Sequence, residues 1–134
     1  YKAGNSVLYY TWSPQWVGGV LVPGKDVTWL TVSHTDLPKG QEGANTKMAD
    51  GRNLGFSVNS IHVLANNKFL NDNPAAKKFF EIAEISINDI GAQNLKMRNG
   101  EKSVKEIDRH ADEWITANQA TFDQWISEAI KAAQ

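Results

Sequence analysis

The stretch SVLYYTWSP, residues 6–14, decides how the rest of the chain is read. Ser6 to Trp12 is a short apolar and aromatic run, bounded by Asn5 on one side and by Ser13-Pro14 on the other. A run of that length, closed by turn formers, predicts a buried strand. Working forward, Pro14 opens a brief helical or turn segment through Val17, and Gly18-Gly19 breaks it. Pro23-Gly24 marks a turn. Asp26 to Val32 (DVTWLTV) is β-branched and apolar on both alternating faces, which predicts a second buried strand. His34 to Gly55 is rich in Gly, Asn, Asp and Lys without periodicity, a surface excursion or functional loop. Phe56 to Ala65 (FSVNSIHVLA) is the third strand candidate. Working backward, Tyr1 to Gly4 reads as the last turn of a helix closing on a glycine cap. The sequence is therefore expected to be a fragment of a longer protein.

Beyond residue 65 the pattern turns helical. Asn73 with Pro74 is an N-cap and first-turn pair for a helix over Ala75 to Ile85. Ser86 starts another helix that should stop at Asn99-Gly100, and Ser103 with Glu106 forms a capping box. Val104, Ile107, Ala111, Trp114 and Ile115 fall on one stripe at helical spacing, continued by Phe122, Trp125, Ile126, Ala129 and Ile130. The stripe predicts a long terminal helix, bent near Ala117-Asn118, lying across a sheet. About three strands followed by several covering helices indicate an α/β fold, with too few strands for a complete sheet.

Composition narrows the function classes. At 134 residues with a formal charge of −1, the chain has the size and balance of one ordinary globular domain. Its Lys and Arg are scattered, against the basic patch that a nucleic acid or an anionic membrane requires. It has no cysteine, so disulfide scaffolds and thiolate metal sites are excluded. No stretch is long and apolar enough to span a bilayer.

Catalytic patterns are missing too. None of His34, His62 and His110 stands at metal-ligand spacing from another histidine or a carboxylate. His62, inside an apolar run, is expected to be a hydrogen-bonded core histidine rather than a ligand. Ser57 and Ser60 lie near it without a nucleophile elbow, and no phosphate-binding loop or dinucleotide fingerprint occurs. Glu81 and Glu84, one turn from Lys77 and Lys78, read as a solvated, ion-paired helix face. No residues emerge to carry hydrolytic or redox chemistry, and no catalytic residue, metal or cofactor is assigned.

The aromatics say more. Trp114 and Trp125 fit the apolar stripe and Trp29 falls inside a strand, so all three are expected in the core. Trp12 ends a strand, at the sheet edge where open α/β folds bind ligands. Tyr9, Tyr10 and Trp16 surround it in sequence. Such a cluster is either plain core packing or a box for a quaternary ammonium. That cation cannot donate a hydrogen bond, so ring quadrupoles in a desolvated site supply its attraction, about 2 kcal/mol for a good contact.

Tyr10-Thr11-Trp12-Ser13-Pro14, Gly19 through Val27 (GVLVPGKDV) and Trp29-Leu30 closely resemble the periplasmic glycine betaine-binding proteins of osmoregulatory ABC importers of Gram-negative bacteria. Asn53-Leu54-Gly55-Phe56, Ile61 through Asn66, Asn73-Pro74-Ala75-Ala76 and the Trp114, Phe122, Trp125 pattern extend the resemblance over essentially the whole chain. It implies two α/β lobes closing like a clamshell on glycine betaine or proline betaine, delivered to a membrane permease from the periplasm. It also implies a box of tryptophans drawn from both lobes, with Trp12 as one wall; Tyr10 and Trp16 are further candidates from the aromatic cluster alone. The remaining walls and the carboxylate site would lie upstream of Tyr1. On the same resemblance, residues 1–21 finish the second lobe, 22–32 form the hinge return strand, and 33–134 belong to the first lobe. Such a piece is expected to self-associate or to pair with the rest of its parent chain. The readings that compete with it are a related choline-type binder, an α/β enzyme fragment with its catalytic residues upstream, and a structural or interaction domain.

Overall fold

A computed structural model of the chain describes residues 2–134. In order it has a 3-10 turn, Trp16–Gly19, then α1 (Asn67–Asp72), α2 (Pro74–Ile82), α3 (Ile87–Arg98), α4 (Val104–Ala117) and α5 (Gln119–Lys131). The chain divides into two compact units, one of Tyr1–Val22 with Ala65–Gln134 and one of Pro23–Leu64.

The helix ends follow local chemistry. Ser86 Oγ accepts from the Asp89 amide at 3.1 Å and starts α3, which closes through Asn99 at Gly100, φ 120°. Ser103 and Glu106 satisfy each other's backbone amides in a full capping box at the start of α4. The Ser103 hydroxyl and amide hold the Glu106 carboxyl below the usual carboxylate range. The expected bend is a complete break. Asn118 leaves helical geometry at φ −120°, ψ 29°, and its side-chain amide returns to the Trp114 carbonyl at 2.9 Å.

Two details correct the helix reading. The helix expected over 75–85 stops at Ile82, where Ala83 turns extended. Helix α1 was not expected. Asn66 caps it, accepting from the Lys68 and Phe69 amides, and Asn73 closes it by donating to the Phe69 carbonyl at 2.8 Å. That use leaves the Asn73 side chain making no cap bond to α2, whose start rests on Pro74.

An aromatic cluster joins the helices of the first unit. Trp114 stacks on Trp125 with centroids 5.8 Å apart, and Phe79 of α2 meets Phe122 and Trp125 edge-on at 6.3 and 6.2 Å. Trp114 Nε1 donates to Asp89 Oδ2 at 3.1 Å, tying α4 to α3. The rings are half-buried, and the most enclosed of the described residues are Ala129 and His110, at 6% and 5% exposure. His110 is thus the core histidine, its Nε2 3.0 Å from Glu101 Oε2. His62, expected in that role, is exposed because the strand that would have buried it does not form. From Glu101 the ion pairs continue to Arg109, then to Glu113 at 2.7 Å and on to Lys96 at 2.7 Å.

The three expected strands are the main departure of this chain from the α/β expectation. Ser6–Trp12, Asp26–Val32 and Phe56–Ala65 run without helix, but among the described residues they form no ladder; of the isolated bridges, Pro23 with Val27 reaches the second segment and Lys47 with Asn53 lies outside all three. A strand exists only where a neighbour accepts its hydrogen bonds in a continuous run, and among the described residues these three make at most single backbone bonds to neighbouring turns, not a run. Their apolar side chains stand in solvent as a result: Leu8 is 82% exposed, Ile61 78% and Leu64 94%. Nor, among the described residues, is there a sheet for α4 and α5 to cross; α5 packs on α2 instead. The helix end read at Tyr1–Gly4 lies partly outside the described residues, within which Gly4 has φ 77°.

The second unit is held by turns. Val32 donates to the Asn53 carbonyl at 2.9 Å and Val58 to that of Asn45 at 2.7 Å. Asn53 Oδ1 collects the Gly55 amide at 2.9 Å and the Thr35 hydroxyl at 3.2 Å. Trp29 is half-buried within it.

Trp125→Ala is expected to lower stability by about 2–4 kcal/mol, while Trp12→Ala, at an exposed position, costs under about 1 kcal/mol; urea unfolding measures both. A second expectation concerns acid. His110 first and then Arg109 hold Glu101 below its ordinary 4.5, and Lys96 then Arg109 do the same to Glu113. Depressed carboxyl pKa values stabilise the fold fully above the unfolded value near ~4.3 and lose that contribution as pH falls through the folded one. Melting temperature should therefore drop on acidification below about pH 4.5, and more shallowly in Glu101→Gln and Glu113→Gln.

Candidate functional site

The segment from Tyr9 to Val17 is shaped by the turn that follows it. Gln15 is extended, at φ −150° and ψ 150°, and its carbonyl accepts from the Gly18 amide at 3.3 Å. The Val17 carbonyl then accepts from Val20 at 3.0 Å and Leu21 at 2.8 Å. The turn lies against α3. Gly19 allows the close approach: a Cβ there would stand 2.6 Å from Leu95 Cδ2, and Leu95 would have to yield.

Before that turn the chain presents rings. Tyr10 and Trp12 sit with centroids 5.2 Å apart, tilted by 49°. Alternation along an extended backbone puts residues two apart on one face, and that brings the pair together. With Tyr9, Trp16, Thr11, Gln15 and Val17 they line a groove of about 280 Å³ that carries no charged side chain. Trp12 is 61% exposed, so its π-face is open to solvent.

Trp16 sits differently. The Arg98 guanidinium lies over its ring, 5.1 Å from the centroid, so one face already holds a cation. Trp16 and Gln15 also border a second groove, about 320 Å³, lined by Asn94, Met97, Arg98 and Lys102. Arg98 went unmarked in the sequence because its partner is remote in the chain and no local spacing points to it.

The structure thus brings Tyr10, Trp12 and Trp16 to one groove, and Trp114 and Trp125 of the same unit are not part of its lining. What the groove can offer is π-surface and amide dipoles. Among the described residues no group of three or more His, Asp or Glu could hold a metal ion, and no helix is long and apolar enough to cross a membrane.

Comparison with known proteins places the sequence in a family. Residues 1–117 match the model of a family described as the substrate-binding domain of ABC-type glycine betaine transport systems. The chain is 48% identical over 134 residues to the glycine betaine-binding periplasmic protein OusX of Dickeya dadantii, covering 100% of this chain and 40% of that one. It is 46% and 47% identical over 132 residues to the glycine betaine/proline betaine-binding periplasmic proteins of Salmonella typhimurium and Escherichia coli, covering 98% of this chain and 40% of each. The chain therefore spans about two fifths of the length of these relatives.

Acrylamide quenching reports on the arrangement directly. Trp12→Phe should remove the most accessible component of the tryptophan emission, and Trp114→Phe should leave that component in place.

Proposed function

The chain belongs to the family of substrate-binding domains of ABC-type glycine betaine transport systems, and from that premise we propose that it is part of a periplasmic protein that captures glycine betaine or proline betaine and hands it to a membrane permease. The observation that carries the reading is identity of nearly half over the full chain to three proteins so named. The exposed Tyr10–Trp12 pair at an uncharged groove supplies the chemistry.

A trimethylammonium group offers no hydrogen-bond donor. Rings held in place before it arrives are the surface that attracts it, each good contact contributing about 0.5–2 kcal/mol as the site becomes dry. Trp12 is proposed as the main wall, its face open and its neighbourhood uncharged. Tyr10 backs it at 5.2 Å. Trp16, with Arg98 on one face, is the weaker wall. One open wall cannot offset the several kcal/mol that immobilising a small ligand costs, so the box needs further rings from the part of the relatives that this chain does not span.

The same division accounts for the bare extended segments. In the proposed two-lobed clamshell, residues 1–21 finish the second lobe, 22–32 return through the hinge, and 33–134 complete the first lobe. The segments around Leu8, Asp26–Val32 and Phe56–Ala65 would enter sheets whose other strands come from elsewhere in the parent protein. Alone, the chain would associate with a second copy or with that remainder, because unpaired extended backbone flanked by apolar side chains seeks a partner. Binding here involves no bond making, which fits a carrier rather than an enzyme.

In the full-length protein, Trp12→Ala should weaken glycine betaine binding by about 1–3 kcal/mol, and Trp12→Phe should cost less because a ring face remains. Calorimetric titration separates the two, and equal losses would remove Trp12 from the box.

A further inference from the structure

The ring of Trp16 divides two grooves, one uncharged and containing Trp12, the other containing Arg98 and Lys102. Arg98 is the last residue of α3, where a cation is favoured by the free carbonyls of the helix end. Among the described residues it forms no ion pair. Instead of extending into solvent, its guanidinium lies 5.1 Å from the Trp16 centroid. The turn that carries Trp16 is seated on the same helix through Gly19 and Leu95, one helical turn before Arg98.

From this geometry we infer that Arg98 is a positioning residue for the ligand site: it clamps Trp16 against α3 and thereby fixes the segment that presents Trp12. The inference rests on the reading of Trp12 as a wall of the betaine box. Ring faces attract a cation only when they are held at the right distance and tilt. Trp12 is joined to the helical body through Ser13, Pro14 and Gln15, and Trp16 is the first large side chain after them. With Arg98 removed, the Trp16 ring loses the group on its second-groove face and is free to turn, and the aromatic groove loses its fixed border. Arg98 touches no ligand in this scheme; its effect passes through Trp16.

The test uses the full-length protein labelled with 5-fluorotryptophan, each resonance assigned by single Trp→Phe substitution. Fluorine spectra, melting temperature and glycine betaine affinity are then compared. In Arg98→Ala the Trp16 and Trp12 resonances should both shift without ligand, affinity should fall about 2- to 5-fold, and the melting temperature should stay within about 2 °C. Arg98→Lys should restore most of the affinity, since an ammonium still caps the ring. In a Trp16→Leu background Arg98→Ala should cause no further loss. An unmoved Trp12 resonance with unchanged affinity, or an equal loss in the Trp16→Leu background, would overturn the clamp. A wild-type protein that binds no betaine, but whose Trp12 resonance moves in Arg98→Ala, would refute the betaine reading and support the clamp.

Discussion

The stack of Trp114 on Trp125 is the contact on which the helical unit depends. It joins α4 to α5 across the break at Asn118, and the edge-on contacts of Phe79 bring α2 to the same cluster. The indole nitrogen of Trp114 reaches Asp89 and so attaches α3. Helix α3 in turn carries Leu95 and Arg98, on which the turn with Trp16 rests. Position is passed along this path from half-buried aromatic packing to an exposed aromatic groove. The packing is thin for the purpose, with two side chains among the described residues below a tenth exposed. Ion pairs from Lys96 through Glu113 and Arg109 to Glu101 brace α3 against α4, but exposed pairs of this kind add little each.

The tryptophans divide by what surrounds them. Trp114 and Trp125 use their faces on each other, and Trp16 uses one face on Arg98. Trp12 has a tyrosine at its side and solvent before it. A ring already engaged gains less from a new cation than an open one, so the open ring is where a quaternary ammonium would find most attraction. That ordering follows from geometry and is independent of the names of the relatives.

Much of the helical half was legible because its signals are local. Ser86, the Ser103–Glu106 box and the Gly100 stop act within one turn, and the apolar stripe from Val104 to Ile130 repeats at helical spacing. The break at Asn118 showed as a polar interruption of that stripe. Helix α1 escaped notice because Asn66 and Asn73, its two closing residues, resemble ordinary loop asparagines until both are seen bonding its ends. The strand readings are not met by ladders within this chain for another reason. Alternation and β-branching report that a backbone suits a sheet, whereas a ladder needs a continuous run of paired neighbours, which the described residues do not supply. His62 was misplaced with its strand, and His110 was missed because its partner Glu101 lies across a loop. At the site, Tyr10, Trp12 and Trp16 were visible as a dense aromatic run. Arg98, far along the chain, was visible only in three dimensions.

In the proposed site an open ring at the end of an extended segment, held by a helical body, faces a ligand that cannot hydrogen-bond through its cation. Intermolecular nuclear Overhauser effects between the N-methyl protons of bound glycine betaine and assigned tryptophan rings of the full-length protein test this most directly. The account predicts a cross-peak to the Trp12 ring and none to Trp114 or Trp125. Saturable betaine binding with cross-peaks to Trp114 or Trp125 and none to Trp12 would contradict it.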